Sequence, residues 1–290
     1  MRSSSEPRSR HMLTIAIACA AASLLAAQSP AGSSVAGAAA IAGLDHIPIA
    51  VNDLEKAADD YRALGFALKP GRPHDNGIRN QHVKFPDGTE LELITAPAAR
   101  DRLTTTYRRH LEKGDGPAFL AFFAPSRAAA LAQLDAAKIG HRNGDLLGAL
   151  DYVFLGPRNQ SPTDRPEHFA HANGAQSLIS VWLAAADLSS ERKLLTSMGA
   201  TVAEAEVRVP DQLRAQVIRL TEGTVVLLPE ARQVSKGRRI VGATLRVSDL
   251  AWARRAMEGG KGAGKMIARD RSVFLVPSAT HGLWIELRQQ

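Results

Sequence analysis

Residues 44–66 read LDHIPIAVNDLEKAADDYRALGF. The run from Leu44 to Val51 is mostly apolar and of strand length, and Asp53 follows where a helix needs a side-chain acceptor for its first free N–H groups. Leu54, Ala57, Tyr61 and Leu64 then recur at helical spacing, and Gly65 supplies the residue that stops a helix most readily. The stretch predicts a strand, a capped helix and a turn. The same order returns at 178–200, LISVWLAAADLSSERKLLTSMGA, where Asp187, Leu188 and Gly199 stand 134 residues after Asp53, Leu54 and Gly65. DGTELELI at 87–94 and EGTVVLLP at 222–229 follow at an offset of 135. Another copy runs through IVGATLRVSDLAWARRAMEGG at 240–260, SVFLVP at 272–277 and HGLWIEL at 281–287, with Asp249 as its cap. The weakest copy lies between, with AFLAFFAP at 118–125, a helix from Arg127 to Lys138 and DYVFLGP at 151–157. Repeated β-α-β-β-β units predict an α+β protein whose helices pack on curved, mixed sheets, two units to a cup. The expected divisions are 1–40 as a leader and linker, 41–175 as a first module pair and 176–290 as a second, degenerate pair.

Composition agrees with a folded chain. Hydrophobic residues make up 45% and charged residues 22% of the 290, the balance of a soluble globular protein. The net charge of +7 comes from interspersed residues. No concentrated basic stripe or stacking platform is present, which argues against a nucleic-acid partner. Cys19 is the only cysteine, so disulfides and cysteine metal cages are excluded. It lies in an apolar segment, Leu13 to Ala27, that follows Arg2, Arg8 and Arg10 and gives way to small residues through Ala40. That is the layout of a secretory signal peptide, too short for a membrane span. Cleavage after Ala31 or Ala36 is expected, giving a periplasmic or secreted protein with no stable membrane insertion. A lipoprotein site at Cys19, a retained anchor and a start at Met12 are the competing readings. The sequence leaves a homodimer open.

The 44–66 stretch, PGRPHDNGIRNQHVKF at 70–85, DGTELELI and FAHANGAQSL at 169–178 together resemble the glyoxalase-like group of the vicinal oxygen chelate superfamily. The resemblance implies paired β-α-β-β-β modules whose cupped sheet holds a divalent metal or a small ligand. It does not imply a reaction, since that superfamily includes isomerases, lyases, ring-cleaving dioxygenases and antibiotic-binding proteins. In its pattern the metal ligands stand on the first and last strands, where this chain has His46 and Glu92. Read from the residues alone, a carboxylate in an apolar strand must be paired, protonated or metal-bound. Imidazole with carboxylate suits Zn, Mn, Ni or ferrous iron; a plain His46–Glu92 hydrogen bond is the competing reading. At the His46 position the other copies offer Ser180 and Gly242, and at the Glu92 position Leu227 and Glu286. Glu286 completes the site if the first and last modules face each other, which is the favoured arrangement because Glu286 follows Gly282 as Glu92 follows Gly88. His168 or His171 completes it if the first module meets its neighbour.

In the resembled group the His and Asn of the 70–80 loop face the cavity, which points to His74 and Asn80, with Arg79 placed to hold an anionic substrate group. His82 and Glu90 are expected to point outward, and Trp182, Trp252 and Trp284 to pack in the core. GGKGAGK at 259–265 follows a helix and lacks a closing Ser or Thr, so it reads as a turn rather than a phosphate loop. No Gly-x-Ser-x-Gly elbow and no His-Glu-x-x-His helix occur. The expectation is an exported glyoxalase-like protein that binds a small oxygen-rich molecule in a sheet cup. Metal-dependent lyase, isomerase or dioxygenase chemistry is one form of it, and metal-free binding for sequestration or resistance is the alternative. A pocket-free scaffold is the third reading.

Overall fold

The opening stretch folds as β1 (Gly43–Ala50) and α1 (Leu54–Ala63) in a computed structural model that describes residues 39–258 and 266–289. Residues 1–38 of the expected 1–40 leader and linker, and the GGKGAGK turn, lie outside the described residues. Asp53 caps α1, accepting from the Lys56 backbone N–H at 3.0 Å, and Gly65 ends it with φ 85°. The first half continues as β2 (Lys69–Pro70), β3 (Arg79–Lys84), β4 (Glu90–Thr95), α2 (Arg102–Leu111), β5 (Gly116–Pro117), β6 (Leu120–Phe123), α3 (Arg127–Ala136), β7 (His141–Arg142), β8 (Asp145–Leu146) and β9 (Val153–Gly156). The second half holds β10 (Ala175–Ala184), α4 (Ser189–Ser197), β11 (Thr201–Arg208), β12 (Gln212–Arg219), β13 (Thr224–Leu228), β14 (Ile240–Val247), α5 (Leu250–Glu258), β15 (Met266–Arg269), β16 (Ser272–Leu275) and β17 (Trp284–Gln289). Asp249 accepts from the Trp252 N–H at 2.9 Å and so caps α5. Asp187 sits one place further out than the repeat predicts: α4 begins after Leu188, and Asp187 accepts from the Ser189 N–H at 2.8 Å.

The seven-stranded first sheet runs β2-β3-β4-β1-β6-β9, with β5 also on β1, and the eight-stranded second runs β11-β12-β13-β10-β14-β17-β16-β15. Each sheet joins two modules through their first strands, β1 antiparallel to β6 and β10 antiparallel to β14. Modules adjacent in sequence are therefore partners, as short connections favour. The favoured pairing of first with last module is overturned, because β17 lies in the second sheet.

The repeat is carried by strand register. His46 stands opposite Glu90 and Pro48 opposite Glu92, as Ser180 stands opposite Thr224 and Trp182 opposite Val226. All four positions are shifted by 134. Val226, not Leu227, therefore occupies the Glu92 position. The one-residue difference arises at the turn, where Gly223 directly precedes Thr224 while Thr89 separates Gly88 from Glu90.

Alternation along β1 sends Ile47 and Ile49 to one face and His46 and Pro48 to the other. Ile47, Ile49, Leu91 and Leu93 join Tyr61 of α1, Val181 and Leu183 of β10, Leu194 and Leu195 of α4 and Met257 of α5 in one continuous buried cluster. The two halves thus share a core on the helix side of their sheets, and the opposite faces are left to form the cups.

Candidate functional site

The face of the first sheet turned from the core carries His46, Pro48 and Ala50 on β1. Glu90, Glu92 and Ile94 of β4 lie beside them, and Asn80, His82 and Lys84 of β3 lie beyond. It overlooks a cavity of 700 Å³ whose walls include His74, Glu92, Ile94, Tyr107, Phe119 and Phe154. His46 Nδ1 lies 2.7 Å from Asp45 Oδ2, and its Nε2 lies 3.8 Å from Glu92 Oε2. Glu92 Oε1 accepts from Asn80 Nδ2 at 2.6 Å. Burial pulls the His46 pKa down, but the Asp45 hydrogen bond and the charges of Glu92, Glu90 and Asp45 outweigh it and leave the imidazole raised above its ordinary value. Burial, helped by the Glu92 charge, pushes the Tyr107 hydroxyl well above its ordinary range. Asn80 Oδ1 and His74 Nε2 are buried without a hydrogen-bond partner among the described residues. Such atoms are expensive to leave unmade unless something else supplies the partner.

Register explains what is missing from this site. Across the first sheet one row reads Glu90, His46, Ala121, Phe154, and across the second the matching row reads Thr224, Ser180, Thr244, Glu286. Phe154 therefore takes the place in the first cup that Glu286 takes in the second, and its ring meets His46 edge-on with centroids 5.2 Å apart. The candidate ligands are divided between two cups. His46 Nε2 and Glu92 Oε2 fit as two donors of one ion, since ligands about 2.0–2.2 Å from a metal lie three to four ångströms apart. Among the described residues no three His, Cys, Asp or Glu side chains converge as a metal set.

The other expected site residues fall elsewhere. Glu286 is fully buried in the second sheet, held by Thr244 and Arg288 at 2.8 and 2.6 Å and by Ser272, so it does not join His46. His171 donates from Nε2 to the Lys84 carbonyl at 2.8 Å and accepts from the Ala67 N–H on Nδ1 at 2.9 Å. With both ring nitrogens engaged, and its pKa lowered by burial, it pins the link between the halves. His168 Nδ1 accepts from the Arg165 N–H at 3.1 Å in a short 3-10 turn and is likewise away from His46 Nε2. Arg79 is exposed and pairs with Glu55 at 2.5 Å, because strand alternation turns it from the face that Asn80 occupies. His74 lines the cavity, whereas Asn80, expected beside it there, is not among the lining residues and instead donates to Glu92.

Glu90 and His82 do not point outward. Glu90 is completely buried, 3.1 Å from His82 Nδ1, 2.6 Å from Asn159 Nδ2 and 3.5 Å from Lys84 Nζ. Burial raises its pKa, but His82, His46 and Lys84 win and hold the carboxyl below its usual range. Lys84 in turn shares Asp164 with Lys69, forming a charge-compensated floor beside the His46–Glu92 pair. Trp252 is 55% exposed and donates to the Ala172 carbonyl at 2.7 Å instead of packing in the core. Asp45, Tyr107, Phe119 and Phe154 belong to the site and were not singled out from sequence. Asp45 was legible as the acidic neighbour of His46; the aromatic wall required the register of β6 and β9.

Paired β-α-β-β-β modules cupping a cavity walled in part by Glu92, with His46 behind it, define a glyoxalase-like protein of the vicinal oxygen chelate class. The chain belongs to the glyoxalase-like domain family, whose model matches residues 44–207, more than half its length. No curated protein matches it. Among solved structures it is similar to a xylose isomerase-like TIM barrel/4-hydroxyphenylpyruvate dioxygenase fusion protein at 14% identity and TM-score 0.60. There the match covers 90% of this chain but only 51% of the other. It is also similar to a mutant of 4-hydroxymandelate synthase from Streptomyces coelicolor (15% identity, TM-score 0.60, covering 86% of this chain and 92% of that one). A third likeness is homoprotocatechuate 2,3-dioxygenase from Arthrobacter globiformis (15% identity, TM-score 0.58, 87% and 81% covered). At these identities the likeness is one of fold.

Proposed function

We propose that the protein is exported and binds a small oxygen-rich molecule in the first cup. The observation that carries the binding reading is the 700 Å³ cavity bordered by His74, with its unpartnered buried Nε2, and by Glu92, which His46 and Asn80 hold in place. Its volume falls within the range of ligand sites, and it combines an apolar wall with a few converging polar groups, the usual make-up of such sites. Tyr107, Phe119 and Phe154 would receive the apolar part of the ligand. Glu92 Oε2 would accept from a ligand hydroxyl, while an imidazole N–H of His46 would donate to a neighbouring carbonyl or carboxylate oxygen. Export is supported by the basic, apolar, small-residue order of the first forty residues.

Two forms of this reading separate on metal. In the metal-dependent form His46 Nε2 and Glu92 Oε2 are the protein donors to Zn, Mn, Ni or ferrous iron, which supplies Lewis-acid polarisation of ligand oxygens for lyase, isomerase or dioxygenase chemistry. Asp45 then orients His46, as a carboxylate behind a ligating imidazole does. In the metal-free form the same pair binds the ligand directly for sequestration. Phe154, standing where a further donor would be needed, favours the metal-free form.

Metal analysis of the purified mature protein, with calorimetric titration of catechols, 2-oxo acids and 2-hydroxy acids before and after chelation, tests both. Saturable binding that survives chelation supports the metal-free form, and binding that is lost with stoichiometric metal supports the other. Absence of saturable binding in either state would remove the proposal. For export, the mass of protein recovered from the native envelope should show loss of about 30 to 36 residues, and an intact Met1 or Met12 terminus on folded cytoplasmic protein would contradict it.

A further inference from the structure

The cup of the second sheet is the larger hollow, 890 Å³. Its floor is apolar and hydroxylic, with Trp182, Val217 and Val226 beside Ser180 and Thr224. Around it stand Arg208, Arg219, Arg269, Arg271 and Arg288, opposed by Glu206, Asp270 and Glu286. Two of these charges cancel internally. Arg288 grips Glu286 through Nε at 3.0 Å and Nη2 at 2.6 Å, and Thr244 and Ser272 fill the remaining acceptor positions of the carboxylate. Glu286, with no exposed surface, is thus a fixed strut with nothing left to offer a ligand. Glu206 is drawn to Gln212 at 2.8 Å.

The other arginines are unspent. Arg269 reaches only its neighbour's carbonyl, that of Ala268, at 3.2 Å, and among the described residues the side chains of Arg208, Arg219 and Arg271 have no hydrogen-bond or ion-pair partner. Their placement is what makes them a site. Arg219 comes from β12 near one end of the strand order, whereas Arg269 and Arg271 come from β15 and the turn into β16 at the other; Arg208, opposite Gln212, lies at the far end of the β11–β12 ladder from Arg219. The curl of the sheet brings both ends around one hollow. Like charges gathered about a concavity with low-dielectric walls focus a positive potential into it, and free guanidinium forks match carboxylate and phosphate oxygens two at a time.

We propose that the second cup binds a small organic anion, a carboxylate or phosphate monoester whose apolar body rests on Trp182, Val217 and Val226 while its charged group is held by Arg219, Arg269 and Arg271. No residue of the first cup takes part, so this site stands or falls independently of the function proposed for that cup.

The test is calorimetric titration of the purified full chain with phenyl phosphate, benzoate and the neutral benzamide, with intrinsic tryptophan fluorescence followed in parallel. The anions should bind at least about tenfold more tightly than benzamide and weaken as salt is raised. Replacing two rim side chains together, Arg219→Gln with Arg271→Gln, should weaken anion binding by about tenfold or more, whereas Glu92→Gln in the first cup should leave it unchanged. Both arginines are solvent-exposed, so the variant is expected to keep the parent's thermal midpoint. Equal binding of benzamide, full retention of anion binding in the double variant, or no saturable binding of either anion would overturn the proposal.

Discussion

His46 is held between carboxylates on both sides of its ring, Asp45 at 2.7 Å and Glu92 at 3.8 Å, and its behaviour should follow from them. A folded-state pKa raised above the unfolded value contributes stability that is present below about pH 6.5 and is lost as pH rises through the folded pKa. NMR titration should therefore place the His46 midpoint above 6.5, and Glu92→Gln should lower it by removing one of the raising charges. A midpoint unmoved by Glu92→Gln would show that Asp45 and Glu90 account for the rise without Glu92. Asp164 works in the opposite sense. Burial raises its pKa, but the hydrogen bonds from Lys69 and Lys84 and their charge bring it down to about 2. Its stabilisation is present above the unfolded carboxyl range and lost as pH falls from about 4 towards 2. Asp164→Asn should flatten that part of the urea midpoint against pH. Asp164→Leu, which strands the buried Lys69 and leaves Lys84 with Glu90 as its only carboxylate among the described residues, should cost on the order of 3 kcal/mol at neutral pH. His46, Glu92, His74 and Asn80 were legible because strand alternation and loop chemistry are local. Glu90 and His82 were misjudged because Asn159, which holds Glu90, comes from beyond β9 and the pairing of Glu90 with His82 and Lys84 depends on the β3–β4 register.

At the scale of elements, two glycines hold the cups open. Gly71 runs against Asn80, so that a Cβ there would overlap the Asn80 side chain. Gly242 pairs across the sheet with Trp182, and a Cβ there would overlap the indole. Gly71→Ala should displace Asn80 from Glu92 and weaken ligand binding in the first cup while leaving the second cup intact. Gly242→Ala should shift the Trp182 emission and destabilise by about 1–3 kcal/mol, the usual cost of overpacking. Unchanged emission and stability would mean the sheet yields there at no cost. Asp53 and Asp249 were readable as helix caps because capping is a contact within one turn. Asp187 missed by one residue because α4 starts later against its sheet. The Leu227 assignment failed for a related reason: the 135-residue offset was read from a turn, whereas pairing with β10 keeps the strand itself at 134.

At the scale of the whole molecule, the repeat was legible and its closure was not. Sequence copies show which segments are equivalent, but both halves were equally able to supply β1 with a partner strand, and the choice rests on the short connection from β4 through α2 to β6. That choice separates His46 and Glu92 from Glu286 and leaves two cups of different chemistry on one core: an imidazole–carboxylate pair with an aromatic wall, and an arginine-ringed hollow over hydroxyls. Ligands of the two cups should therefore stabilise the chain additively in thermal unfolding, each raising the midpoint in the presence of the other. Competition between them would mean a single shared site. The most direct test of the central claim is saturation-transfer NMR of the mature protein with a panel of catechols, 2-oxo acids and 2-hydroxy acids, comparing the parent with His46→Ala and Glu92→Gln. Saturable transfer to at least one compound that is lost in both variants and retained in Arg219→Gln with Arg271→Gln is the result expected; transfer that is indifferent to His46 and Glu92 would contradict the assignment of the first cup.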